Sequence, residues 1–168
     1  MLTEAIELTL FPAMMAFAAS SDLLTMTIAN RVSLILIAGF AVLALLCGIS
    51  GADLLSHVGA AALVLAVAFG CFACGWIGGG DAKLAAATAL WLGFGHLLDY
   101  LVYASLLGGA LTILIVQFRA WPLPRFLAGQ AWADRLHQEG GGVPYGIALA
   151  AAALLVYPQT QWMAPVGM

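Results

Sequence analysis

The sequence predicts an all-α integral membrane protein with six transmembrane helices, and three observations support this prediction. Of the 168 residues, 64% are hydrophobic and only 8% are charged. A water-soluble surface needs about a quarter charged residues, so this chain cannot cover one. The apolar runs are long and continuous and lack the alternation of a membrane β-barrel, so helices are the expected spanning elements. With six spans, every Lys and Arg also falls on one side of the membrane.

Six apolar runs are the candidate spans of a single membrane-embedded domain that covers residues 1–168. No basic region of a cleaved signal peptide precedes the first run, so we expect it to remain as a helix. The fourth run is short: about 13 residues at 1.5 Å each reach only about 20 Å, against a hydrocarbon core of roughly 30 Å. Its start is therefore expected near or inside the membrane boundary. The runs are about Ala5–Ala19, Val32–Ile49, Leu54–Ile77, Ala82–Phe94, Leu97–Phe118 and Val143–Tyr157.

The charges of the connecting segments predict the orientation. All the basic residues fall on one side of the membrane, whereas the other side carries acids and histidines but no Lys or Arg. By the positive-inside rule the basic side faces the cytoplasm, so both termini are expected outside it. If the fourth run did not span, Arg31 would lie on the opposite side of the membrane from the three later arginines. The basic residues are Arg31, Lys83, Arg119, Arg125 and Arg135.

An ionisable pair interrupts the apolar sequence where the fourth run begins. Asp81 and Lys83, the only lysine of the chain, follow the turn Gly78-Gly79-Gly80. Charged groups at or inside a membrane boundary are energetically expensive, which makes them candidates for function. The glycines allow a tight turn and the close approach of another backbone, because they carry no side chain.

A second acid is predicted to lie near Asp81. Asp22 ends the first span on the same predicted side, and no other pair of acids shares this depth. Two carboxylates brought close cannot both ionise cheaply, so one keeps its proton while the other acts as a base. Such a pair can activate water against an amide, because one member takes the proton of the water and the other polarises the carbonyl. Simpler interpretations are a helix N-cap for Asp81 and a solvated interfacial acid for Asp22.

Three ordered elements of the sequence resemble the type IV prepilin peptidases, which are A24 aspartic peptidases. The stretch Gly78–Leu84 fits their G-x-G-D motif and its Asp-Ala-Lys-Leu continuation. Asp22, followed by Asn30-Arg31, resembles their first aspartate motif, although Ala29 stands where the family usually has proline. Val143–Ala148 resembles their late Pro-Tyr-Gly element.

The resemblance implies the short Tad/Flp-associated (CpaA/TadV-like) form, an aspartic endopeptidase of the bacterial inner membrane. Such enzymes remove the leader from pilin-like precursors at the cytoplasmic face, and here Asp22 and Asp81 are the implied catalytic pair. No metal, cofactor or nucleic-acid partner is expected, whereas membrane lipid is. The large insert with paired Cys-x-x-Cys motifs is absent, so N-methylation is not expected. Residues expected to bind substrate or shape the site are Gly78, Gly79, Gly80, Lys83, Asn30 and Tyr145.

Other functions remain open on the sequence. G-x-G-D intramembrane proteases cut signal-peptide or other single-span remnants. Asp22 and Asp81 could also be proton-relay sites of a small transporter or channel subunit, and a structural scaffold would tolerate the loss of both. Cys71 and Cys74 have the spacing of metal ligands, but without a second pair or a nearby histidine we expect buried apolar residues. The sequence identifies neither the particular pilin nor the oligomeric state.

Overall fold

The computed structural model describes residues 2–124, 127 and 129–163, with the backbone alone for residues 2–6. Every regular element within these residues is a helix. α1, α2, α3 and α4 are each long and apolar enough to cross a membrane, and a shorter apolar helix covers Tyr145–Gln159. The elements are α1 Leu2–Thr25, α2 Asn30–Cys47, α3 Gly51–Ala73, α4 Gly79–Ala120, α5 Ala131–His137 and α6 Tyr145–Val156, followed by a 3-10 turn at Tyr157–Gln159. The chain is therefore a helical membrane protein.

α4 contains both the predicted fourth and fifth spans, joined by a bend at Gly93. The helix is 42 residues long, and Gly93 alone has non-helical angles, with φ 63° and ψ −179°. Hydrogen bonds from α3 hold both sides of the bend: His57 Nδ1 donates to the Leu90 carbonyl at 2.8 Å, and Ser56 Oγ accepts from the Phe94 N–H at 3.2 Å. The connection predicted after Phe94 is helical in the structure, so the bend lies inside the predicted fourth run.

The helices run between two ends of the bundle. We call the end that carries Asp22 and Asp81 the carboxylate end, and the end that carries His57 and Gly93 the histidine end. α3 lies antiparallel to the first half of α4, because the His57 ring approaches Gly93 and the Phe72 ring approaches Gly79. Gly79 is thus at the carboxylate end.

The second half of α4 returns to the carboxylate end. There Thr112 Oγ1 lies 3.0 Å from the hydroxyl of Tyr145, which begins α6. α6 and the turn after it run back to the histidine end, where the side chain of Gln161 lies 3.2 Å from His57 Nε2. Counting both halves of α4, the described part of the chain passes six times between the two ends. How many of these passes cross the bilayer, and which end faces the cytoplasm, stay predictions.

Charge is distributed unevenly between the two ends, as the sequence predicted. Arg135 donates to the Leu24 carbonyl at the end of α1, and Arg119 donates to the carbonyl of Gly142 just before α6. Lys83 and Arg31 lie at the starts of α4 and α2. All the Lys and Arg residues that the structure describes are therefore at the carboxylate end, and Arg125 lies outside the described residues.

The core of the bundle is centred on the fully buried Trp91 of α4. Its indole N–H donates to the Leu36 carbonyl of α2 at 2.9 Å, and its own carbonyl accepts from the Trp162 indole at 2.7 Å. Phe11 of α1 stacks on Tyr157 with 4.3 Å between ring centroids. Both buried indole N–H groups have hydrogen-bond acceptors, so neither is left unsatisfied. The cluster fixes the relative positions of α1, α2, α4 and α6.

Two expectations about boundaries and burial were wrong. α1 does not end at Ala19 but continues to Thr25. The hydroxyls of its polar residues find acceptors within the helix, as when Ser20 Oγ donates to Ala16 O at 2.8 Å, so these residues can remain helical. Asp22 consequently lies within the helix. Cys71 is only half-buried and Cys74 is exposed. Both lie at the end of α3, where no other helix covers these side chains.

Replacing Gly93 with alanine is expected to destabilise the protein. Its positive φ with extended ψ is essentially restricted to glycine, and a Cβ atom there would lie 3.2 Å from the His57 ring. The conformational penalty alone is about 1–3 kcal/mol, so the thermal unfolding midpoint in detergent should fall. Gly95→Ala is the matched control, because a Cβ atom there meets nothing within 4 Å. An unchanged midpoint for Gly93→Ala would contradict this role of the bend.

Candidate active site

Asp22 is buried at the carboxylate end and is held by the first turn of α6. Its side chain lies in the last turns of α1 and is only 4% exposed. Its Oδ2 accepts the backbone N–H of Gly146 at 2.7 Å. The first N–H groups of a helix have no partner within that helix, so a carboxylate can accept from them. A Cβ atom at Gly146 would lie 2.8 Å from Asp22 Oδ2, so this close approach requires glycine.

Asp81 is half-buried in the first turn of α4, three residues after the N-cap Gly78. Its carboxylate turns back toward the backbone N–H of Gly78, the arrangement by which an acid at this position caps a helix. A Cβ atom at Gly78 would lie 2.9 Å from Asp81 Oδ2. The glycine turn thus leaves room for the Asp81 side chain. The N-cap residue itself is Gly78, so Asp81 caps the helix from its first turn and is not the N-cap that the simpler interpretation expected.

The structure brings the two aspartates to the same place. Ile28, between α1 and α2, links them: a Cβ atom at Gly80 would lie 3.2 Å from Ile28 Cβ, and one at Gly146 would lie 2.7 Å from Ile28 Cδ1. The carboxyl groups of Asp22 and Asp81 are close enough to interact electrostatically. Two acids that are distant in sequence therefore lie at the same end of the bundle, on either side of Ile28.

Lys83 and Asn30, both chosen from the sequence, are in direct contact. Lys83 Nζ donates to Asn30 Oδ1 at 2.9 Å, and both side chains are exposed. The bond links the start of α4 to the start of α2, where the segment that leads from Asp22 to Asn30 ends. Within that segment Ser21 Oγ donates to the carbonyl of Thr27 at 2.9 Å. The pair stands beside the aspartates on a different face of α4.

Tyr145 supports the start of α6. Its hydroxyl pairs with Thr112 of α4 at 3.0 Å, and its ring packs beside Gly108. Since Gly146 follows it directly, Tyr145 fixes the backbone that holds Asp22. The Tyr145 side chain therefore lies next to the site, and its hydroxyl points toward α4.

Sequence reasoning missed two parts of this arrangement. Gly146 was recognised only as part of a motif, and its bond to Asp22 could not be predicted without the tertiary fold. Arg119 donates to the carbonyls of Leu136 and Gly142 at 2.7 and 2.8 Å, so it positions the segment leading to α6. No local pattern around Arg119 predicts these bonds, because the two acceptors lie 17 and 23 residues further along the chain. Among the described residues, no group of three or more metal-binding side chains is assembled.

One of three comparisons with known proteins found a match. Neither a curated protein nor a solved structure matches the chain significantly. Residues 9–113, however, match the profile of the type IV leader peptidase family. The matched range contains Asp22, Asn30 and the glycine turn with Asp81, and it covers more than half of the sequence. The chain therefore belongs to the type IV leader peptidase family.

Proposed function

We propose that this protein is an aspartic endopeptidase that removes the leader from pilin-like precursors, with Asp22 and Asp81 as its catalytic pair. The observation that carries the proposal is the meeting of these two carboxyl groups at one end of the bundle, in a chain of the leader peptidase family. Asp22 is buried and Asp81 is partly buried, and a low-dielectric environment disfavours the ionisation of both at once.

The proposed mechanism uses a single proton shared between the two aspartates. The ionised carboxylate takes a proton from a water molecule as its oxygen attacks the scissile carbonyl. The protonated partner donates its proton to the carbonyl oxygen, which stabilises the tetrahedral intermediate. When the intermediate collapses, the C–N bond breaks and the amine leaves with the proton that the first carboxylate took. As the carbonyl of the product acid forms again, the partner carboxylate takes back a proton from a hydroxyl of the intermediate, which restores the pair. The Gly146 N–H holds Asp22 in place during these steps.

The position of the pair suits a leader peptide. A precursor with a basic leader joined to an apolar helix places its scissile bond at the cytoplasmic edge of the membrane. The carboxylate end is the basic end of the bundle, which the positive-inside rule assigns to the cytoplasm. We therefore infer that the protein acts at the cytoplasmic face of a bacterial inner membrane, and that the aspartates meet the substrate at that depth.

The purified protein is expected to cleave such a precursor in detergent micelles, without any ion gradient. The proposed chemistry needs only the two carboxyl groups and water. Mass spectrometry of the two products would show the cut between leader and apolar helix. A proton-relay protein would instead depend on a gradient and would retain part of its activity when aspartate is replaced by glutamate. Absence of cleavage in micelles by a folded, monodisperse sample would refute the proposed function.

A further inference from the structure

A large apolar groove opens sideways in the bundle, between α2 and α3. These two helices both pack against α4 but scarcely against each other, so α4 forms the floor of the gap between them. The groove has a volume of about 520 Å³ and is lined almost entirely by apolar side chains. Four alanines lie along it, Ala61 and Ala62 on α3 and Ala86 and Ala87 on α4. Small residues of this kind let the backbone of another helix approach closely within a membrane.

The groove begins at the depth of the aspartates. Its polar end is formed by Lys83 and Asn30, and Lys83 follows Asp81 by two residues on the same helix. At 1.5 Å per residue the two positions differ by only about 3 Å along the axis of α4. From Lys83 to Leu90 the floor extends for about 10 Å, which is about two turns of a helix lying beside it. An apolar helix in this groove would therefore begin where the proposed cleavage occurs.

The charge at the polar end indicates what the groove binds. The exposed ammonium of Lys83 donates to Asn30, and within the described part of the chain it forms no ion pair. An ammonium at the membrane edge without a carboxylate partner is complementary to an acidic side chain on an incoming chain. An acid in the first turns of a helix is also favoured by the helix dipole.

We propose that the groove binds the apolar helix of the substrate, with an acidic side chain near the start of that helix paired to Lys83. The proposal rests on the peptidase function inferred above and adds the place where the substrate is held. The leader then lies on the other side of the cleaved bond, beyond the aspartates.

Filling the groove tests the docking site. Ala62→Trp places an indole on its exposed wall, and is expected to raise KM for the full precursor at least about tenfold with little change in kcat. Cleavage of a short peptide that lacks the apolar helix should be unchanged. Ala66→Trp is the matched control, because Ala66 is exposed on α3 one turn further on and does not line the groove. If the wild type cleaves and Ala62→Trp has the wild-type KM for the precursor, the docking site is refuted while the peptidase function stands.

A photo-crosslinking amino acid at position 62 or 66 identifies the occupant directly. The Asp81→Asn background keeps the precursor uncut during illumination. We expect the substrate helix to be captured from position 62 and not from position 66. Capture of phospholipid alone from position 62, in the presence of saturating precursor, would overturn the proposal in favour of a lipid site.

The pairing with Lys83 is tested by a double-mutant cycle. Lys83→Gln is expected to raise KM for a precursor with an acidic residue in the first turns of its helix. The same variant should change KM little for a precursor in which that residue is glutamine. An equal effect on both precursors would show that Lys83 does not recognise the acid.

Discussion

Replacing Asp22 or Asp81 with asparagine is expected to abolish leader cleavage, lowering the rate by about 10²–10⁴-fold or more, the range contributed by positioned acid–base groups. Asparagine has nearly the shape of aspartate but can neither take the proton of water nor give one to the carbonyl. At position 22 its side-chain oxygen can still accept the Gly146 N–H, so the packing at the start of α6 is kept. Initial rates with purified precursor in detergent are the measurement.

Asp99→Asn is the matched control for both variants. Asp99 is an exposed acid on α4, beyond the bend at Gly93 and away from the carboxylate end. We expect this control to cleave at the wild-type rate, and all three variants to insert and to unfold at similar temperatures. Wild-type cleavage by folded Asp22→Asn or Asp81→Asn protein would remove that residue from the catalytic role.

Much of the architecture follows from composition and charge. Long apolar runs with few charges leave helices as the spanning elements, and the runs that became α2 and α3 were predicted within a few residues. The two aspartates were assigned to one side because the chain alternates sides at each pass, and the structure indeed places Asp22 and Asp81 at one end. Counting passes requires no knowledge of packing, which is why sequence was sufficient for this step.

The bend in α4 shows where such reasoning stops. Gly95 and His96 interrupt the apolar pattern and suggested a connection, yet both are helical, and the whole change of direction occurs at Gly93. A single glycine can do this because hydrogen bonds from Ser56 and His57 of α3 hold the residues on either side. Those partners come from tertiary packing, so no local pattern around Gly93 predicts the bend.

The start of α6 shows the same limit within the site. Pro144, Tyr145 and Gly146 were recognisable as a helix start, and Tyr145 was expected to shape the site. What could not be foreseen is that the unpaired N–H of this turn is satisfied by Asp22, at the far end of the sequence. The bond gives a physical reason for glycine at position 146, because the backbone must approach the carboxylate without a side chain between them.

Replacing Gly146 with alanine is therefore expected to lower kcat strongly while leaving the docking groove intact. The added methyl group would lie 2.8 Å from Asp22 Oδ2 and 2.7 Å from Ile28 Cδ1, distances too short for a Cβ atom. Either the carboxylate or Ile28 must move, and a displacement of about 1 Å at a reacting group can cost about 10²-fold in rate. Gly109→Ala, on α4, is the control, since a Cβ atom there meets nothing within 4 Å. Wild-type kcat for Gly146→Ala would contradict the tight fit around Asp22.

A double variant separates the two contacts of the added methyl group. Ile28→Val removes Cδ1 and so relieves the contact with Ile28, but it leaves the contact with Asp22 Oδ2 unchanged. If displacement of Asp22 causes the loss, Gly146→Ala/Ile28→Val should remain as impaired as Gly146→Ala alone, with KM close to that of the wild type. Full recovery of kcat in the double variant would assign the loss to Ile28 instead. The Asp22 carboxylate would then tolerate the added methyl group without losing its position for proton transfer.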